Sequence, residues 1–136
     1  MYTVFRLSSK SETNIFTDAK KAFEEISPGL LKNTRHKSSM ACSVYDGQDW
    51  IENQNKIREF VEKHKEIFSA FGHNELFFSF DMAVNSDDAG EGFFCSFYLD
   101  HELLFLLSEN KINIEFTAYY PIDVDDDEDD EESLDS

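Results

Sequence analysis

The chain has 136 residues, enough for one hydrophobic core, and carries 29 Asp and Glu residues against 12 Lys and Arg, a net charge of −17. This acidity argues against direct nucleic-acid binding, because phosphate contacts need clustered basic side chains. The sequence shows no signal-peptide pattern and no apolar stretch of membrane-spanning length, so we expect a cytoplasmic protein without membrane contact.

The first third of the chain predicts a strand, a helix and a polar loop. Residues 2–8 are rich in β-forming residues, with alternate side chains on one face. Apolar residues at helical spacing follow over 15–26, and Ser27-Pro28-Gly29 ends that pattern. Residues 30–39 form a basic loop, whose charged and titratable side chains we expect to be solvated: Lys32, Arg35, His36 and Lys37.

The middle of the chain predicts a second strand and the longest helix. Residues 40–44 alternate as a strand, which ends at the turn signal Asp46-Gly47. Apolar residues then step by three and four over 49–71, a pattern that predicts one continuous helix ending at Gly72. His64 lies in this apolar stripe, and we expect it to be a boundary residue without a functional role.

The last part of the folded region predicts a hairpin, a short helix and a final strand. Residues 75–84 alternate over a long run, and the polar loop 85–92 joins them to a strand at 93–99. A helix between the caps Asp100 and Asn110 precedes a strand at 112–120. Four residues on the apolar faces of these strands are predicted to be core: Phe78, Phe80, Ile114 and Phe116.

The element order βαβαββαβ predicts an α+β fold. We expect a mainly antiparallel sheet of about five strands packed on two to three helices, and residues 40–120 contain the order of a ferredoxin-like unit. Residues 1–121 are expected to form one globular domain. Residues 122–136 are expected to be a disordered tail, since ten of the last fourteen residues are acidic, and removing them leaves a net charge of −7.

No arrangement of residues with the spacing of a known catalytic or cofactor site is found in the sequence. His73-Asn74-Glu75 has half of a zinc deaminase motif but lacks the cysteine pair, and the acidic run from Asp123 lacks the glycine and final glutamate of a calcium loop. Cys42 and Cys95 are expected to be reduced core residues. We therefore expect a binding protein that is not an enzyme and holds no cofactor or metal.

Four segments resemble a widespread family of small bacterial α+β domains of unknown function. They are the strand at 2–8, the helix end at Ser27–Leu30, the helix start at Asp49-Trp50 and the ending Leu103–Tyr119. Members of such families commonly serve as immunity proteins in polymorphic toxin systems, including contact-dependent growth inhibition. The resemblance implies a cytoplasmic protein that binds a cognate basic toxin domain, often a nuclease, and neutralises it.

The resemblance supplies no binding residues, because each immunity protein matches its own toxin. The candidates therefore come from the charge pattern alone, since a surface of one sign steers an oppositely charged partner. They lie on the hairpin loop and at the start of the tail: Asp87, Asp88, Glu91, Asp123, Asp125, Asp126 and Asp127.

Two other functions stay open at the level of sequence. An acidic mimic of nucleic acid would inhibit a DNA-binding protein by presenting carboxylates at phosphate-like spacing. A small-ligand-binding domain would need a pocket with convergent polar groups.

Overall fold

The computed structural model describes residues 1–10, 13–72, 75–85 and 98–119, which form five strands and four helices and confirm the α+β class. In chain order the elements are β1 (Tyr2–Ser9), α1 (Asn14–Ile26), β2 (Lys32–Asn33), β3 (Ser39–Asp46), α2 (Trp50–Lys63), α3 (Lys65–Phe71), β4 (Leu76–Asn85), α4 (His101–Glu109) and β5 (Ile112–Tyr119). The two-residue strand β2 lies in the segment 30–39, which was expected to be loop throughout.

The five strands form one sheet in the order β2-β3-β1-β4-β5. The first strand, β1, lies in the centre and pairs antiparallel with both β3 and β4, while β5 pairs parallel with β4. The sheet is therefore mainly antiparallel between neighbours, as predicted. Because β3, β4 and β5 all run opposite to β1, their C-terminal ends lie at the same end of the sheet.

The predicted hairpin between 75–84 and 93–99 is not found in the described residues, where β1 and β5 occupy both edges of β4. Tyr98 and Leu99 lie outside any strand, and residues 93–97 lie outside the described residues. The ferredoxin-like arrangement predicted for 40–120 is also not found in the described part of that range. There, β1 fills the gap between β3 and β4, and β4 and β5 are parallel neighbours.

The core is built around the ring of Phe5, at the centre of β1. Its ring centroid lies 5.6 Å from that of Phe23 on α1, 4.7 Å from Phe60 on α2, 5.9 Å from Phe68 on α3 and 5.4 Å from Phe80 on β4. The buried residues of α4 belong to the same apolar cluster. The helices therefore cover the apolar face of the sheet, as the strand patterns predicted.

Of the four predicted core residues on β4 and β5, Phe78 and Phe80 are buried, and Ile114 packs partly buried against the core. Phe116 is 54% exposed, so its assignment to the core is wrong. Phe116 lies on the edge strand β5 and lines an open groove between this strand and α4, so its side chain is not covered.

The single helix predicted over 49–71 is divided in two at His64. The backbone of His64 leaves the helical region, with φ −110° and ψ 19°, and its ring turns inward instead of lying at the boundary of the stripe. The carbonyl oxygen of Phe60 accepts from both the backbone N–H and the ring Nδ1 of His64, at 3.2 and 2.8 Å. The buried side chain thus bends the chain between α2 and α3.

Candidate protein-binding face

All seven acidic residues predicted to bind a partner lie outside the described residues: Asp87, Asp88, Glu91, Asp123, Asp125, Asp126 and Asp127. The residues from which these segments continue are described. Asn85, two positions before Asp87, and Tyr119, four positions before Asp123, are register partners at the C-terminal ends of β4 and β5. The two acidic segments are therefore attached to the same end of the sheet, where β4 and β5 terminate.

The same end of the sheet also carries an open cavity of about 790 Å³, which lies between the end of β3, the start of α2 and Tyr98. Among the described residues, the lining contains three aromatic and three acidic residues and no Lys, Arg or His. We call this surface the aromatic–acidic face and define it by its seven aromatic, acidic and exposed apolar residues: Tyr45, Asp46, Asp49, Trp50, Ile51, Glu52 and Tyr98.

The turn after β3 fixes the first aromatic side chain of this face. The hydroxyl of Tyr45 accepts from the backbone N–H of Asp49 at 2.9 Å and donates to Oε1 of Glu52 at 3.5 Å. A Cβ atom added to Gly47 would lie 2.4 Å from the Tyr45 hydroxyl oxygen, so only glycine leaves room for the ring. The predicted Asp46-Gly47 turn therefore also holds Tyr45 against the start of α2.

The capping of α2 turns further side chains of the face towards solvent. Asp49 is the N-cap, and its Oδ1 accepts from the backbone N–H groups of Ile51 and Glu52 at 3.0 and 3.1 Å. This geometry leaves Ile51 68% exposed at the first turn of the helix. An isoleucine this exposed contributes little to folding, so its apolar area is available to a partner.

Tyr98 reaches the face from the distant α4 end of the chain. The indole Nε1 of Trp50 donates to the backbone oxygen of Tyr98 at 2.8 Å, and the Tyr98 side chain is 75% exposed. Behind it, Oε1 of the buried Gln54 accepts from the Asp100 N–H at 3.2 Å. These contacts hold an exposed tyrosine beside the tryptophan.

The anchor beneath Tyr98 is the N-cap of α4. Asp100 accepts from the Leu103 N–H at 2.9 Å and forms an ion pair with Arg58 of α2. The backbone hydrogen bond from Leu103, followed by the bond from Arg58, lowers the pKa of the Asp100 carboxyl. The start of α4 is therefore tied to α2 over the pH range in which Asp100 is ionised.

Sequence reasoning missed this face because its members are separated along the chain. The short spacing of Asp46, Asp49 and Glu52 around Trp50 was visible, but Trp50 was interpreted as a helix anchor and Tyr98 as part of a strand. Only the fold brings residue 98 beside residue 50.

A second exposed apolar surface lies on α4 and β5. Leu104 and Phe116 line a groove of about 610 Å³ between these two elements, and the exposed Phe105 follows Leu104 on α4. Lys111 is the only charged side chain lining this groove in the part of the chain that the structure describes. This surface lacks the carboxylates of the aromatic–acidic face, and it therefore provides control positions for mutagenesis.

In comparisons with known proteins, no family model, curated protein or solved structure matches the chain. Within the described ranges, no group of three or more His, Cys, Asp and Glu side chains is arranged to hold a metal ion. None of the helices described is both long enough and apolar enough to cross a bilayer. The function must therefore be inferred from the residues of this chain.

Proposed function

We propose that the chain is an immunity protein, which binds and neutralises a cognate basic toxin domain of the nuclease class in the bacterial cytoplasm. The observation that carries this proposal is the aromatic–acidic face, where the exposed side chains of Tyr98 and Ile51 lie beside carboxylates, with no basic residue among the described residues of the lining. The protein would act by occupying its target and would need no chemistry of its own.

The composition of the face matches what stable protein interfaces use at their centres. Tyrosine and tryptophan are enriched among the residues that contribute most binding energy, because they bury a large area at a small cost in side-chain entropy. Tyr98 is 75% exposed and held from behind, so it is already positioned for insertion into a partner. Ile51 extends the same apolar patch.

The charge of the chain supports a basic target. A net charge of −17 produces a field that accelerates encounter with a cationic protein, and carboxylates at the face suppress docking of acidic proteins. A nuclease must carry a cationic surface to hold phosphates. A protein that covers such a surface with Asp46, Asp49 and Glu52 would exclude nucleic acid from it.

The test is to express the product of the adjacent gene with and without this protein, and to measure cell survival and binding of the purified pair. Tyr98→Ala should weaken binding by about 1–3 kcal/mol and reduce protection. Phe105→Ala is the matched control, since Phe105 is a similarly exposed aromatic residue, at 67%, on the second apolar surface.

Two outcomes would contradict the proposal in different ways. If the neighbouring product is not toxic, or is neither bound nor neutralised, the immunity function is wrong. If Phe105→Ala abolishes protection while Tyr98→Ala does not, the interface lies on the second apolar surface and the aromatic–acidic face is not the binding site.

A further inference from the structure

Several hydrogen-bond donors in the cavity of the aromatic–acidic face are used within its own wall. The indole N–H of Trp50 donates to the backbone oxygen of Tyr98, and the hydroxyl of Tyr45 donates to Glu52. The first backbone N–H groups of α2 donate to Asp49. The other side-chain donors of the lining, the hydroxyl of Tyr98 and the amides of Gln48 and Gln54, are uncharged.

The acceptors, by contrast, are left in excess. Asp46, Asp49 and Glu52 form no ion pair within the described part of the chain, and all three are exposed. The Oδ2 atom of Asp49 and the Oε2 atom of Glu52 accept no hydrogen bond from a described residue. Such a cavity favours a group with several N–H donors, no acceptor and a positive charge.

The helix dipole opposes a cation here, and its size must be compared with that of the carboxylates. The start of α2 contributes the equivalent of roughly half a positive charge. The three carboxylates contribute three negative charges within the same turn and the residues before it. The local field therefore still attracts a cation.

We propose that the cavity receives an arginine side chain of the partner protein, an inference that rests on the proposed function. A guanidinium group is planar, stacks on aromatic side chains and donates to two carboxylate oxygens at once. The ammonium of lysine has three donors but cannot stack in this way. Two aromatic residues of the lining, the exposed Tyr98 and the partly buried Trp50, thus favour arginine over lysine, whereas Tyr45 is buried.

The chain offers a direct optical probe, since Trp50 is its only tryptophan. The intact protein is titrated with a capped Gly-Arg-Gly peptide while tryptophan fluorescence and the indole N–H signal in a ¹H–¹⁵N spectrum are followed. The same peptide with citrulline or lysine at the central position provides the comparison. We expect a saturable response to arginine, a weaker one to lysine and none to citrulline, which keeps the shape of arginine but lacks its charge.

A double variant tests the role of the carboxylates. Asp46→Asn with Glu52→Gln should weaken arginine binding about three- to thirtyfold, the range expected for two solvent-exposed ion pairs. The matched control is Glu59→Gln with Glu62→Gln, which also neutralises two exposed carboxylates of α2 but lies outside the cavity. This control should leave binding within about twofold of the parent.

Equal responses to arginine and citrulline, or equal weakening by the two double variants, would overturn the proposal. Thermal melts of both variants establish that they fold. The peptide titration contains no toxin, so its failure alongside successful protection would refute the arginine site alone. Specific arginine binding without protection would refute the immunity function and leave the site.

Discussion

The hydroxyl oxygen of Ser27 lies 2.9 Å from Nε2 of His64, and this buried hydrogen bond joins the end of α1 to the junction of α2 and α3. The carbonyl of Phe60 can only accept, so Nδ1 of His64 carries the proton, and Nε2 of the neutral ring accepts from Ser27. The ring is 1% exposed and lies 4.4 Å from the ring centroid of Phe60. The pair thus satisfies a polar side chain inside an aromatic core.

The buried position of His64 predicts a loss of stability in mild acid. Burial, assisted by the charge of Lys63, lowers the pKa of His64 from 6.5, although the hydrogen bond to Phe60 raises it. The unfolded chain therefore takes up a proton at a higher pH than the folded chain. Stability attributable to neutral His64 is fully present above about pH 6.5 and is lost as the pH falls towards the lower folded pKa.

The measurement is the free energy of unfolding in urea at about pH 7.5 and 5. The advantage of the parent over His64→Gln should shrink at the lower pH, because titrations of the carboxylates are common to both proteins and cancel. If the difference between the two proteins is unchanged across this range, His64 is not the titrating group that we infer.

The burial of residues in strongly periodic segments could be predicted. An apolar residue at every second position of a strand, or about every three and a half positions of a helix, identifies the buried face. Phe78 and Phe80 were placed correctly for this reason. The caps Asp100 and Asn110 of α4 sit where their sequence positions indicated, at the two ends of the apolar run. These features depend only on neighbours along the chain.

The order of the strands and the ends of the core were not predictable in this way. The pattern of β1 shows that one face is buried, but not that this strand separates β3 from β4. Likewise, the alternation along β5 continues through Phe116, although the groove between α4 and β5 leaves this residue exposed. The candidate face depends on such a long-range relation, the contact between Trp50 and Tyr98.

A buried polar pair at the centre of the sheet predicts non-additive mutations. Oγ1 of Thr3 donates to Oδ1 of Asn53 at 2.7 Å, and within the described structure the buried Nδ2 of Asn53 has no hydrogen-bond partner. Thr3→Val should cost about 1–3 kcal/mol, because it leaves the Asn53 oxygen unpaired as well. Adding Asn53→Leu removes the whole buried amide and should recover part or all of this loss. Urea denaturation of both single variants and the double variant measures the coupling, and simple additivity would contradict this account.

The thiol of Cys42 should react slowly in the folded protein. Burial raises its pKa from 9.0 to about 11, which lowers the thiolate fraction about 100-fold before restricted access is considered. The comparison is the rate of reaction with a chromogenic disulfide at about pH 8, in folded and urea-unfolded protein. Cys95→Ser in both samples restricts the signal to Cys42. Equal rates in the two states would show that Cys42 is accessible and that its burial is wrong.

The final prediction separates steering from contact in binding to the proposed toxin. Removing residues 123–136 takes away ten of the 29 acidic residues and changes the net charge from −17 to −7. This truncation should mainly slow association, whereas Tyr98→Ala should mainly speed dissociation, because long-range charge acts on encounter and buried contacts act on lifetime. Raising salt from about 0.05 to 0.5 M should slow association of the full chain more than that of the truncated chain.

Stopped-flow kinetics with the neighbouring gene product measures these rates. A melting temperature matched to that of the full chain shows that truncation leaves the fold intact. A tail deletion that accelerates dissociation without affecting association would mean that the tail contacts the partner directly and does not steer it.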